Sequence, residues 1–193
     1  MWHRSIHAWE SPQFPGRPMD LVVHGHAGAR VLVFPTSMGR FHEWEDRGMC
    51  DAVGDQLASG QLQLICVASV DELSWYDDAA HPHHRAEWHA RYDAYLRDEV
   101  LPFTLESNPN PFLITAGASF GAYHALAFGC RYPQLVARGE DFVRQHGGKS
   151  IAVGRLVPGV KSVVPGIVGM FGMKELYFLV VNVSSAIVWG AAH

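Results

Sequence analysis

The first 136 residues contain no lysine, although they carry 16 Asp and Glu side chains against 9 Arg. With a net charge of −4 over the whole chain of 193 residues, that lack of basic patches excludes a nucleic-acid-binding surface. Cysteine is also scarce. Cys50, Cys66 and Cys130 form an odd set with no CxxC pair, which excludes a disulfide-stapled scaffold, and all three are read as buried thiols. Charged residues make up only 18% of the chain and hydrophobic ones 48%, too apolar a balance for disorder and enough for one globular domain. The opening Met1-Trp2-His3-Arg4-Ser5-Ile6-His7 has no apolar leader core, so a cytoplasmic protein is expected.

Against these absences stands a regular alternation of strand and helix signals. Ser5 to Glu10 and Met19 to His24 are strand-like, and the turn signal at residues 26–29 makes them a hairpin entry to a sheet. Arg30 to Phe34 is a near-continuous apolar run ending at Pro35, as a strand covered on both faces requires. A helix is predicted over Glu43 to Ser59, with Trp44, Cys50, Val53 and Leu57 on one stripe and Gly60 as its stop. Gln61 to Ser69 is the next buried strand, and a loop over 70–80 leads to a second helix over His84 to Leu105.

Pro111 to Ala116 then reads as a short strand and Tyr123 to Phe128 as the body of a helix, with Gly117-Ala118-Ser119-Phe120-Gly121 between them. A G-x-S-x-G turn between strand and helix is the nucleophile-elbow pattern. Its glycines let strand and helix approach, while the serine is exposed on a strained turn. Ser119 is therefore the candidate nucleophile. Ligands of such sheets bind beyond the carboxyl ends of the parallel strands, which brings residues 35–42, 70–84 and 119–120 to one mouth and leaves His24, His26 and Gly60 away from it. The oxyanion hole needs two backbone N–H groups. Phe120 supplies one, and Ser37, with Met38 as the adjacent option, supplies the other. Arg40, Asp71 and Trp75 are the candidate pocket residues on the two mouth loops.

The run LVFPTSMGRFHEWEDRGM, the segment SVDELSWYDDAAHPHHRAEWHARYDAYLRDEVLPF and the elbow GASFGAYHALAF resemble the esterase branch of the α/β-hydrolase superfamily, related to feruloyl esterases and mycolyltransferase-type enzymes. The resemblance covers about residues 1–136. It implies an α/β fold with a mostly parallel sheet and flanking helices, a Ser-His-Asp/Glu triad, an ester substrate and no cofactor.

Residues 137–193 depart from that pattern. They hold Glu140, Asp141 and Glu175 against six basic residues, every lysine of the chain among them. Their GR-x-VPG stretch and following apolar run resemble part of a DedA-type (VTT-domain) membrane protein, so the chain reads as a fusion. Leu176 to Ala192 is 17 residues without a charge, at the short end for a membrane span. The expected fold is thus a truncated α/β-hydrolase whose sheet lacks its later strands. The edge left by that truncation implies cover by the tail or by a second copy, and self-association at least to a dimer.

A serine nucleophile needs a base and an acid, which ordinarily follow it in the chain. The downstream bases are His146 and His193, with Asp141 the foremost acid. His124, on the elbow's own helix, is read as structural and turned away from the mouth. His42, His81, His83 and His84 sit on mouth loops as substitutes. The Asp77–His84 run lacks ligand spacing, so no metal is expected. The sequence supports a serine carboxylesterase for small esters with an incomplete or improvised triad. The competing reading is a non-catalytic fusion product, membrane-associated through its terminal apolar segment.

Overall fold

A computed structural model describes residues 1–136 of the chain. Five strands, β1 (Arg4–Glu10), β2 (Pro18–His24), β3 (Ala29–Phe34), β4 (Leu62–Val67) and β5 (Leu113–Gly117), form one sheet in the order β1-β2-β4-β3-β5. β1, β2 and β4 pair antiparallel, whereas β4, β3 and β5 run parallel. This is the α/β-hydrolase-like architecture that the alternating elements predict, with a mixed sheet in which two of the four pairings are antiparallel where a mostly parallel one was expected. The hairpin is formed by β1 and β2. The turn after β2 does not make a second one, because β4 lies between β2 and β3 and the chain must cross over.

Pleating divides the strand residues between two cores. Leu32, Phe34, Leu21, Val23, Ile65, Val67 and Leu113 face one side, and are packed beneath Tyr92, Tyr95, Leu96, Val100 and Phe128. Those residues belong to α4 (Pro82–Tyr95), the π-helical turn Leu96–Val100 and α6 (Phe120–Arg131). Val22, Val31, Val33, Leu64 and Cys66 face the other side. They are covered by α1 (Glu43–Asp46), α2 (Met49–Ala52) and α3 (Gly54–Ala58). The predicted stripe of Trp44, Cys50, Val53 and Leu57 does face this second core.

The single helix expected over 43–59 is broken into three short ones. Gly48 adopts φ 70° and Val53 is non-helical at φ −115°, ψ 20°, so the segment bends to follow the twisted sheet. The second predicted helix widens into the π-turn at Leu96–Val100 and resumes as α5 (Leu101–Ser107). Pro102, at the start of α5, has no N–H for the regular ladder, and a shifted turn accommodates it. Cys50 and Cys66 are buried, but Cys130 is exposed. On α6 the buried positions are Gly121, His124, Ala125 and Phe128, and Cys130 falls on the opposite face.

Arg30 is 4% exposed and has no carboxylate partner among the described residues. Its guanidinium instead donates to the Asn110 carbonyl at 2.9 Å, the Leu101 carbonyl at 3.3 Å and Thr104 Oγ1 at 3.1 Å, and burial lowers its pKa from the usual arginine range. These bonds fix the start of β3 to α5 and to the approach to β5. Arg30→Met keeps most of the buried volume and removes the guanidinium from three acceptors, of which only the Leu101 carbonyl keeps a side-chain donor, Thr104 Oγ1 at 2.9 Å. It is expected to lower unfolding stability by about 2–3 kcal/mol, measured by urea denaturation with an unchanged m-value.

Candidate active site

Ser119 stands at the carboxyl end of β5, next to the end of β3, since Phe34 and Gly117 are register partners. Its backbone lies at φ 55°, ψ −124°, one of only two non-glycine residues with positive φ among those described, the other being Met38 at φ 59°. Such a conformation costs about 1–3 kcal/mol and persists only where the surroundings enforce it. Here the enforcement is steric. A Cβ on Gly117 would meet the Gly121 carbonyl oxygen at 2.2 Å, and one on Gly121 would meet the backbone oxygens of Pro35 at 2.2 Å and Phe34 at 2.5 Å. The two glycines therefore let α6 start directly against β5 and β3, and the chain turns sharply at an exposed Ser119.

The N–H of Phe120 is the first of α6 and has no intrahelical acceptor by position. It points from the helix N-terminus, where a developing negative charge is favoured. Of the two options on the loop after β3, the Met38 N–H is already committed, donating to Asp71 Oδ2 at 2.9 Å. The bond to Asp71 takes Met38 out of the two options and leaves Ser37 as the candidate. Ser37 Oγ accepts from Tyr76 at 2.7 Å, and Glu43 accepts from the Thr36 amide and hydroxyl, each at 2.7 Å. Burial pushes the Glu43 pKa up, but the Thr36 and Arg47 donors outweigh it and hold the carboxyl below its ordinary range. The Thr36 end of the loop is thereby tied to α1.

Asp71 does not line a pocket. It is fully buried, and besides the Met38 N–H it binds His124 Nε2 at 3.0 Å. His124 itself is 3% exposed, with its ring 5.9 Å from Phe34 and 4.9 Å from Phe120. His124 is structural, as expected, but it does not turn away from the mouth. It lies beneath it, tying α6 through Asp71 to both mouth loops. Neither residue's pairing is visible in the sequence, where 53 positions separate them.

Trp75 and Tyr76 are exposed and frame the elbow, their rings 6.2 and 5.7 Å from that of Phe120. Arg40 is exposed on the loop after β3. A cleft of about 760 Å³ between α4 and α6 is lined by Trp75, Arg85, His89, Tyr123 and Arg131 among others, and Ser119 is not part of its wall. The substitute bases are held elsewhere. His42 bonds Asp46 at 2.5 Å, His83 and His84 pair with Glu87, and His81 caps α4 by accepting from the His83 N–H. No hydrogen bond joins a histidine to Ser119 among the described residues. His146, His193 and Asp141 lie outside those residues, as does the DedA-like stretch, and no helix of the described part is long and apolar enough to cross a membrane.

Solved structures similar to this chain include two esterase-type hydrolases, and the first of them shares its fold. A ferulic acid esterase superposes with a TM-score of 0.53 at 14% identity, over 69% of this chain and 57% of that one. S-formylglutathione hydrolase from Staphylococcus aureus gives a TM-score of 0.47 at 12% identity, over 70% and 57%. This chain thus spans little more than half the length of either. No protein-family model and no curated protein matches it.

Two expectations follow from this geometry. Ser119→Gly should relieve the backbone and raise stability by about 1 kcal/mol, whereas Ser119→Ala, which keeps a Cβ, should not; thermal unfolding of both variants checks this. His89 is 5% exposed with both ring nitrogens unpartnered, and burial, with His124 and Arg131 nearby, lowers its pKa to about 4. Because the folded value lies below the ordinary one of 6.5, stability is fully present above pH 6.5 and is lost as pH falls towards 4. His89→Phe should remove about 2 kcal/mol of the stability difference between pH 7 and pH 4.5, read from denaturation curves of both proteins.

Proposed function

We propose that this protein is a serine carboxylesterase that forms an acyl-enzyme on Ser119. The observation carrying the reading is the exposed serine at positive φ, wedged between strand and helix at the carboxyl end of a parallel strand. A buried structural serine has no need of that conformation. Attack of Ser119 Oγ on an ester carbonyl makes a tetrahedral intermediate whose oxyanion would be received by the N–H groups of Phe120 and Ser37. Collapse of the intermediate expels the alcohol, and water then hydrolyses the acyl-serine. Trp75 and Tyr76 offer an apolar rim for an acyl group or a small aromatic alcohol.

The base is assigned to His193 or His146, and the acid to Asp141. The departure of residues 137–193 from the esterase pattern, where the acid and base would ordinarily follow the serine, is the ground for reading the triad as improvised. An elbow and oxyanion hole acting without a triad still accelerate acyl transfer on the order of 10³–10⁴-fold over water. Wild-type protein should hydrolyse p-nitrophenyl acetate slowly, and Ser119→Ala should fall to the rate of buffer. His146→Ala and His193→Ala should each cost less than Ser119→Ala. Unchanged turnover in folded Ser119→Ala would exclude the reading, and a single histidine variant as damaging as Ser119→Ala would show a complete pair.

A further inference from the structure

On the sheet face away from α4 and α6, three metal-ligating side chains converge from three elements. His24 ends β2, Cys66 lies on β4, and Cys50 descends from α2. Val22 pairs with Cys66 and His24 with Leu64 across the β2–β4 ladder, so His24 and Cys66 are diagonal neighbours on one face. The ligand atoms of the three residues lie within 4.8 Å of one another. The side chains are between 1% and 2% exposed and are packed among Val22, Val31, Val33, Leu57 and Leu64. Among the described residues His24 Nε2 is buried with no hydrogen bond of good geometry, its one close polar neighbour being the Cys50 thiol, whose pKa the nearby Cys66 and His24 lower to about 6.

We propose that His24, Cys50 and Cys66 form a binding site for a thiophilic divalent ion, zinc. Thiolate and imidazole atoms around one zinc sit at about 2.0–2.3 Å from the metal, and so lie roughly 3.5–4 Å from each other. The cluster needs only a small contraction to reach that spacing. Two thiolates neutralise one divalent charge, which suits a dry pocket, whereas a monovalent ion would leave a net negative charge buried. Binding releases the thiol protons to solvent.

Trp2 gives this site a feature of its own. Its indole Nε1–H donates to His24 Nδ1 at 3.2 Å. An indole nitrogen only donates, so the neutral imidazole carries its proton on Nε2. Coordination through Nε2 moves that proton to Nδ1, where two donors would then face each other, and the indole must turn aside. Trp2 thus competes with the metal, and its fluorescence reports the occupancy of the site.

The test uses the full chain, reduced, purified without a histidine tag and titrated with Co²⁺ and then Zn²⁺. One Co²⁺ per chain should give a thiolate-to-cobalt charge-transfer absorption, displaced by Zn²⁺, with a change in tryptophan emission. Cys50→Ser and Cys66→Ser should each weaken binding by about 100-fold or more, Cys130→Ser should leave it unchanged, and Trp2→Phe should tighten it several-fold. Should the buried-cysteine variants misfold, the wild-type and Trp2→Phe titrations still decide. Folded wild-type protein without the sulfur-to-metal band, or binding only through exposed histidines, which lack that band, would overturn the proposal.

Discussion

The start of α6 is pressed against the ends of two strands, and the mouth of the molecule is organised around that contact. With Gly121 against the backbone of Phe34 and Pro35, and Gly117 against Gly121, there is no room for a relaxed strand-to-helix connection. The tension falls on Ser119, which is therefore lifted out of the sheet. The same contact places the Phe120 N–H beside the serine and brings the Phe120 ring against Trp75 and Tyr76. The exposed serine, the proposed first oxyanion donor and the aromatic rim all follow from one steric constraint.

A buried polar bridge ties down the loop that carries the proposed second donor. Asp71 accepts from Met38 on one loop and contacts His124 on α6, while Glu43 binds the Thr36 end of the same loop. A buried carboxylate is tolerated only when its oxygens are bonded, and both Asp71 oxygens are, so it holds the loop from beneath. Met38 itself is held at positive φ. The two positive-φ residues, Ser119 and Met38, thus lie on the elbow and on the loop of the proposed oxyanion hole.

Local chemistry was legible in the sequence. The apolar run of β3, the G-x-S-x-G turn and the helix after it could be read because each depends on neighbours a few residues apart. The residues from Val31 to Phe34 show their double burial directly, since both pleat faces are apolar there. Contacts across the sheet were not legible. Asp71 reads as a polar loop residue until His124 is brought beneath it, and Cys50 and Cys66 read as separate buried thiols until the ladder sets Cys66 diagonal to His24. The breaks at Gly48 and Val53 also escaped the helical stripe, because a bent series of short helices keeps the same face inward as a straight one.

The central claim is that the elbow makes Ser119 a nucleophile. A fluorophosphonate transfers its phosphonyl group only to a serine activated by its surroundings, and the adduct can be located by peptide mass spectrometry. Folded protein should be phosphonylated stoichiometrically at Ser119, and denatured protein not at all. Folded protein that stays unlabelled, or is labelled only at other serines, would contradict that claim.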